Sequence, residues 1–259
     1  MKKATITGAL ITSAVLGALA IGSAMAADMP AKAPMLMKAP PMPVSTWTGC
    51  YIGGGGGYGM YNQDGFEESD PGHVPVGFTA TTGGRGWFGT VGAGCDYQVS
   101  SNIVIGAYGD WDFGDIKGQL NPSPTSALGT ESDKWAWAAG ARIGWLVTPT
   151  VLTYFSGGYT QAHFDSVSFS SQFIGGGASS FSMAANTYNG WFLGSGFDYA
   201  VSILPSGFFL RSEYRYSTYQ AADVAFLATA TGLSNGFAFN SKKYVQTVRS
   251  ELVYRFNMH

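Results

Sequence analysis

The chain has 259 residues and a formal net charge of −2; 46% of its residues are hydrophobic, 15% aromatic and only 12% charged. Ordinary soluble domains carry about 25% charged residues. Nucleic-acid affinity rests on a basic excess that is missing here, so nucleic acid is excluded as a partner. The aromatic content and the 37 glycines also exclude a coiled coil and a disordered chain, leaving a secreted β-sandwich or a membrane β-barrel.

The first element reads as an address. Lys2 and Lys3 precede an apolar run from Thr5 to Ile21, and Ala24-Met25-Ala26 supplies a small-x-small cleavage site. This is the pattern of a Sec export signal, placed at residues 1–26. Residues 27–45 are dense in proline without periodicity, which predicts an extended periplasmic linker. Lys32 and Lys38 could bring that linker to peptidoglycan. Residues 46–259 remain for the folded unit.

From Trp47 onward the signal has period two, the mark of strands with unlike faces. Eight segments carry it: 47–61, 85–99, 103–115, 134–147, 151–161, 189–201, 208–216 and 245–256. In 85–99 the odd positions include Trp87, Val91, Cys95 and Tyr97, while the even ones include Thr90, Asp96 and Gln98. Segment 47–61 is dominated by glycine, and 151–161 is apolar on both faces. The run Gly53 to Gly57 invites comparison with a phosphate-binding loop, but no helix pattern follows it. The segments exceed the 5 or 6 residues of a usual strand and suit the roughly 9–11 residues that cross a bilayer.

The connections alternate in length. Those at 100–102, 148–150 and 203–207 are short and made of turn residues. Those at 62–84, 116–133, 162–188 and 217–244 are long and rich in Gly, Ser, Asn and Pro. This predicts an all-β fold: an eight-stranded antiparallel transmembrane up-and-down β-barrel with short periplasmic turns and four long external loops. The Gly/Ser/Ala-rich 166–186 stretch reads as a mobile loop or a β-extension.

A soluble sandwich would turn the apolar faces inward instead. Three features favour the barrel. The minor faces are too poor in charge for a solvated surface. Aromatic residues, Trp47 among them, gather near strand ends as interfacial girdles do. The minor-face charges also balance: Asp96, Asp110, Asp112, Asp198, Glu213 and Glu251 against Arg142, Arg211, Arg215, Arg249 and Arg255. A narrow lumen demands such pairing, and the planar guanidinium suits several carboxylates at once.

The pieces Trp47-Thr48-Gly49-Cys50-Tyr51-Ile52-Gly53-Gly54, Gly94-Cys95-Asp96-Tyr97, Glu213-Tyr214-Arg215-Tyr216 and Tyr254-Arg255-Phe256, in this order after a Pro-rich linker, resemble the small outer-membrane β-barrel proteins of alphaproteobacteria. That family is often called outer-membrane immunogenic or porin-like, and the OmpA and OmpX membrane domains share its architecture. The resemblance implies the outer membrane as location, its lipid and lipopolysaccharide as surroundings, and periplasmic chaperones and the barrel-assembly machinery as partners during insertion. Phe256 is the expected assembly signal, although Asn257-Met258-His259 follow it where the strict pattern ends on the aromatic.

Cys50 and Cys95 fall near the periplasmic rim of the first two strands, and the periplasm permits a disulfide between them. Two small free thiols are the alternative. No catalytic set, cofactor site or metal site is expected: His163 with Asp165, Ser166 and Ser168 is an ordinary polar loop, and His73, His163 and His259 are scattered. Asp64, Glu67, Glu68 and Asp70 make an acidic, solvated first loop that could meet lipopolysaccharide through divalent cations. The expected role is non-enzymatic: envelope integrity and surface presentation by a barrel filled with an Asp/Glu–Arg network. A narrow passive channel for ions or small solutes is the alternative. Loop-mediated binding of haem or host molecules is a further reading, implied only by the resemblance.

Overall fold

The computed structural model describes residues 47–123, 127–171 and 178–256. The expected export signal at 1–26 and linker at 27–45 lie outside the described residues, as does His259. Eleven strands follow in order: β1 (Gly49–Ser69), β2 (Pro75–Gln98), β3 (Ile103–Ser123), β4 (Ala127–Thr148), β5 (Val151–Phe164), β6 (Val167–Ser171), β7 (Ala178–Met183), β8 (Asn186–Ala200), β9 (Phe208–Tyr219), β10 (Ala222–Ala228) and β11 (Ser234–Phe256).

All the pairings are antiparallel, and they form a circuit: β1–β2–β3–β4–β5–β8–β9–β11, with β11 returning to β1. A closed circuit has no free edge, so every strand along it satisfies its backbone groups on both sides. The remaining strands β6, β7 and β10 form a second bridge from β4 to β11. They occupy stretches expected as loops, so the described strands number eleven rather than eight.

The long connections are also shorter than expected. β1 and β2 stay paired up to Phe66↔Thr79, with a further pair at Glu68↔Pro75, leaving only a tight turn between the strands. Runs rich in Gly, Thr and Ser looked like loop in the sequence. They extend as strand because a paired neighbour supplies hydrogen bonds that local propensity does not predict.

Faces alternate as the period-two pattern requires. Outward positions include Trp87, Ile143, Trp145, Phe155, Trp191 and Val248. Inward positions fall into layers. Trp47, Tyr51, Val104, Leu152, Phe209 and Val253 close the end that carries the short turns. Tyr61, Phe88, Ile116, Phe164, Tyr188, Tyr219 and Val245 pack further along. Leu120, Val167, Phe169, Met183, Val224, Phe226 and Phe239 fill the space beneath the second bridge.

Trp47 therefore departs from the expected aromatic girdle. It is 1% exposed, its ring meets Phe209 at 4.8 Å, and its indole N–H donates to the Pro149 carbonyl at 3.3 Å. It precedes the first strand pair, so the chain can tuck it under the wall.

Glycine appears where interior crowding demands it. Gly140 and Gly158 face each other across β4 and β5. A Cβ on Gly140 would strike the Gly157 carbonyl and stand 2.8 Å from Phe192 Cζ.

Candidate functional site

The inward charged residues gather between the apolar layers in two clusters. In the lower one, Arg142 on β4 donates to Asp96 on β2 at 2.6 and 2.9 Å and to Asp198 on β8 at 3.2 Å. Arg211 on β9 forks onto both oxygens of Asp198 at 2.7 and 2.9 Å. Arg255 on β11 reaches Asp96 at 2.7 Å and also donates to the Trp47 carbonyl. The Tyr51 ring lies beside all three guanidiniums at 4.5–5.3 Å. Glu251 stands 3.9 Å from Arg211.

In the upper cluster, Arg215 on β9 binds both oxygens of Asp110 on β3 at 2.7 and 2.9 Å and takes Glu213 at 2.9 Å. Tyr154 donates to the other Glu213 oxygen at 3.0 Å. Arg249 on β11 binds Asp112 at 2.8 and 3.1 Å and Asp110 at 3.2 Å. The Phe192 ring lies 4.4 Å from Arg215, and Phe88 lies 5.4 Å from Arg249. All eleven minor-face charges read from the sequence thus lie in these two clusters.

This density follows from alternation. Arg211, Glu213 and Arg215 are consecutive inward positions of β9; on β11 Arg249, Glu251 and Arg255 also point inward, with Val253 of the apolar layer between the last two. In a ring this narrow, inward side chains from different strands must meet. Buried charges are tolerated there because each has a partner; an uncompensated one would cost several kcal/mol.

A third cluster escaped the sequence reading. Lys243 on β11 is fully buried and donates to Glu131 on β4 at 2.7 Å and also to Gln63 on β1. Phe164, Tyr188 and Tyr61 surround its ammonium at 4.3–5.9 Å. Residues 131 and 243 lay in stretches read as loops. Inward parity continued past the apparent strand end finds Lys243 but misplaces Glu131, which has the outward parity of Ile143 and Trp145 and is turned inward by the irregularity between Asp133 and Trp135.

Little space is left between these groups. The cavity lined by Tyr51, Tyr108, Arg211, Glu213 and Arg215 measures about 10 Å³. The next, lined by Asp112, Asp133, Thr160, Ser217 and Thr247, measures about 30 Å³. A single water needs about 10–15 Å³.

Cys50 and Cys95 are direct cross-strand partners and form a disulfide, with sulfurs 2.03 Å apart. Phe256 ends β11 opposite Cys50, its ring 4.9 Å from Tyr254. His163 lies within 2.9 Å of the Thr187 hydroxyl and stacks on Trp135, while Asp165 accepts from the Ser166 amide at 3.1 Å.

The acidic first loop divides. Asp64 accepts from Thr81 at 2.8 Å and Asp70 from Ser234 at 2.8 Å. Glu68 turns inward and meets His73 at 2.7 Å, with Asp223 3.6 Å from the same imidazole nitrogen. The hydrogen bond and charge of Glu68 push the His73 pKa up, and Asp223 and Asp70 add to this. From the sequence His73 was one of three scattered histidines; Glu68 lies five residues from it, and the pairing of β10 with β11 brings the sequence-remote Asp223 to the same ring.

The chain matches the model of the outer membrane protein beta-barrel domain over residues 14–256. It belongs to that family. It is 30% identical over 250 residues to the 31 kDa outer-membrane immunogenic proteins of Brucella melitensis and Brucella suis, a match covering 94% of this chain and 98% of each relative. Among solved structures, OprG from Pseudomonas aeruginosa superposes with a TM-score of 0.48 at 12% identity, covering 81% of this chain and 97% of that one. The protease OmpT from Escherichia coli superposes with a TM-score of 0.39 at 12% identity, covering 80% and 97%. This outer-membrane β-barrel protein resides in the bacterial outer membrane.

Proposed function

We propose that the protein is a closed structural barrel that contributes to envelope integrity and presents its outer strands to the surroundings. In this reading the eight strands of the closed circuit cross the membrane. The ends joined by 99–102, 149–150 and 201–207 face the periplasm, and β6, β7 and β10 stand outside. One observation carries the reading: among the described residues two ion clusters reach across the ring, with apolar layers on either side, and the cavities lined by their side chains measure about 10 and 30 Å³. An open pore needs a continuous wet path. Here a permeating ion would have to displace bidentate arginine–carboxylate pairs, and charge-assisted hydrogen bonds of that kind are the strong ones. Insertion by the barrel-assembly machinery through Phe256, aided by periplasmic chaperones, belongs to the same proposal, as does a lipid and lipopolysaccharide surround.

Planar-bilayer recording of the refolded protein tests it. The parent protein is expected to give no steady single-channel current, while Arg215→Ala and Arg142→Ala, which remove side chains from the clusters, are expected to raise leakage. A stable current through the parent that changes with Glu213→Ala would overturn the closed reading in favour of a narrow channel.

A further inference from the structure

The Glu68–His73–Asp223 group has the donors of a metal site. The Nδ1 of His73 lies 2.7 Å from Glu68 Oε1 and 3.6 Å from Asp223 Oδ2, and one donor atom of each residue lies within 4.8 Å of the others. Two ligands bound tetrahedrally to one Zn²⁺ at ordinary Zn–N and Zn–O lengths stand about 3.3 Å apart. The two His73 distances bracket that value, and the Glu68 and Asp223 oxygens, within 4.8 Å of one another, would close toward it around a shared ion.

The second observation is the state of Glu68. Its side chain is only 3% exposed, and among the described residues its only ion-pair partner is His73, whose own side chain is 63% exposed. No described lysine or arginine forms an ion pair with it. A buried carboxylate needs a cation; the protonated His73 ring supplies one, and where that ring is neutral a bound divalent ion takes its place.

The framework also suits a clip. At this level β11 lies between β1 and β10, since Asn240 pairs with both Phe66 and Asp223. Asn240 donates to Asp223 Oδ1, which leaves Oδ2 turned to His73. His73 sits in the β1–β2 turn with φ +52°, a left-handed conformation that histidine enters more readily than bulkier residues.

The geometry points to a divalent transition-metal site of the Zn²⁺ type, held by His73, Glu68 and Asp223 and joining the β1–β2 turn to β10. One imidazole and two carboxylates suit zinc; calcium requires six to eight oxygens. Three protein ligands leave the fourth position open to solvent. The imidazole must be neutral to bind, so zinc uptake releases its proton and weakens as the pH falls. The charged groups around it are Glu68, Asp223 and Asp70.

Calorimetric titration of the refolded, tag-free barrel in detergent with zinc chloride tests this. One zinc per chain is expected, with affinity reduced at least tenfold by His73→Ala and by Asp223→Asn. Heat-modifiable migration in gels checks that each variant is folded. Zinc is further expected to protect the β1–β2 turn from protease in the parent and not in His73→Ala. The same isotherm in parent and His73→Ala would place zinc on other donors and overturn the proposal, as would no binding to the folded parent.

Discussion

Arg215 on β9 donates to both oxygens of Asp110 on β3 at 2.7 and 2.9 Å, although three strands separate β9 from β3 whichever way round the circuit is followed. One side-chain pair thus spans the full width of the ring. Lys243 and Glu131 do the same from β11 to β4, closer to the outer strands.

Removing Arg215 should be costly. Arg215→Ala leaves Asp110 and Glu213 short of a counter-charge, and breaking a buried pair from one side costs about 3–5 kcal/mol. Urea unfolding of the refolded protein, followed by tryptophan fluorescence, should give a loss of that size. Arg215→Lys keeps the charge but loses the planar fork, and should recover only part of it.

Lys243 and Glu131 allow a cleaner separation of terms. Lys243→Met alone should destabilise by about 3–5 kcal/mol, because Glu131 is left buried and charged. Adding Glu131→Leu removes that charge and should return much of the loss. The double-mutant cycle measures the coupling; additive single effects would show that the pair does not act as one unit.

Gly106 and Gly109 lie on opposite faces of β3 and should respond differently to alanine. A Cβ on Gly106 would overlap Asp96 Oδ1, the carboxylate that Arg142 and Arg255 share, whereas one on Gly109 would meet only the Ala138 carbonyl at 3.4 Å. Gly106→Ala should therefore cost about 1–3 kcal/mol through overpacking. Gly109→Ala should be neutral or slightly stabilising, since glycine is a poor strand residue. The same unfolding assay compares them.

The cysteines can be counted directly. Alkylation of the unfolded protein without reductant should add no mass, and two adducts should appear after reduction. Cys50 and Cys95 are 45 residues apart in sequence, and closing such a loop stabilises by about 2–4 kcal/mol. Cys50→Ser with Cys95→Ser should lower the urea midpoint accordingly.

His73 should titrate above the ordinary imidazole value, because its hydrogen bond to Glu68 favours the protonated ring. A raised pKa contributes stability that is complete below the unfolded value and is lost as the pH rises through the folded one. In metal-free protein the β1–β2 turn should become more protease-sensitive on passing upward through that window. His73→Gln should flatten the dependence, and the imidazole shift is read by NMR.

The wall and its charges were legible in the sequence because period two survives any tertiary context. Once Arg211, Glu213 and Arg215 share a face opposite Leu210 and Tyr214, lipid on one side forces the charges together on the other. Three things stayed hidden. Lys243 and Glu131 were masked by neighbours rich in Gly, Ser and Asn, a composition shared by loops and by strands that are paired beyond the membrane. Leu152 and Tyr154 could not be assigned a side, because β5 is apolar on both faces; they line the interior. The His73–Asp223 approach depends on β10 crossing back to β11, which no local pattern encodes.

The pairing of β1 with β11 runs from Cys50↔Phe256 to Ser69↔Phe237, so it joins the first described strand of the chain to the last. Loop closure of that span is the most demanding contact order this chain can have, and it gains little until the final strand arrives. Before then the nascent wall carries two long unpaired margins, each a template for the wrong partner. Arg255, which grips Trp47 and Asp96, sits one residue before the end of β11 and acts as a latch at this seam. Loss of Arg255 and Phe256 would remove the latch and the Cys50↔Phe256 and Tyr51↔Arg255 pairs, so the seam would fray from its Trp47 end while the pairs farther along still hold it shut.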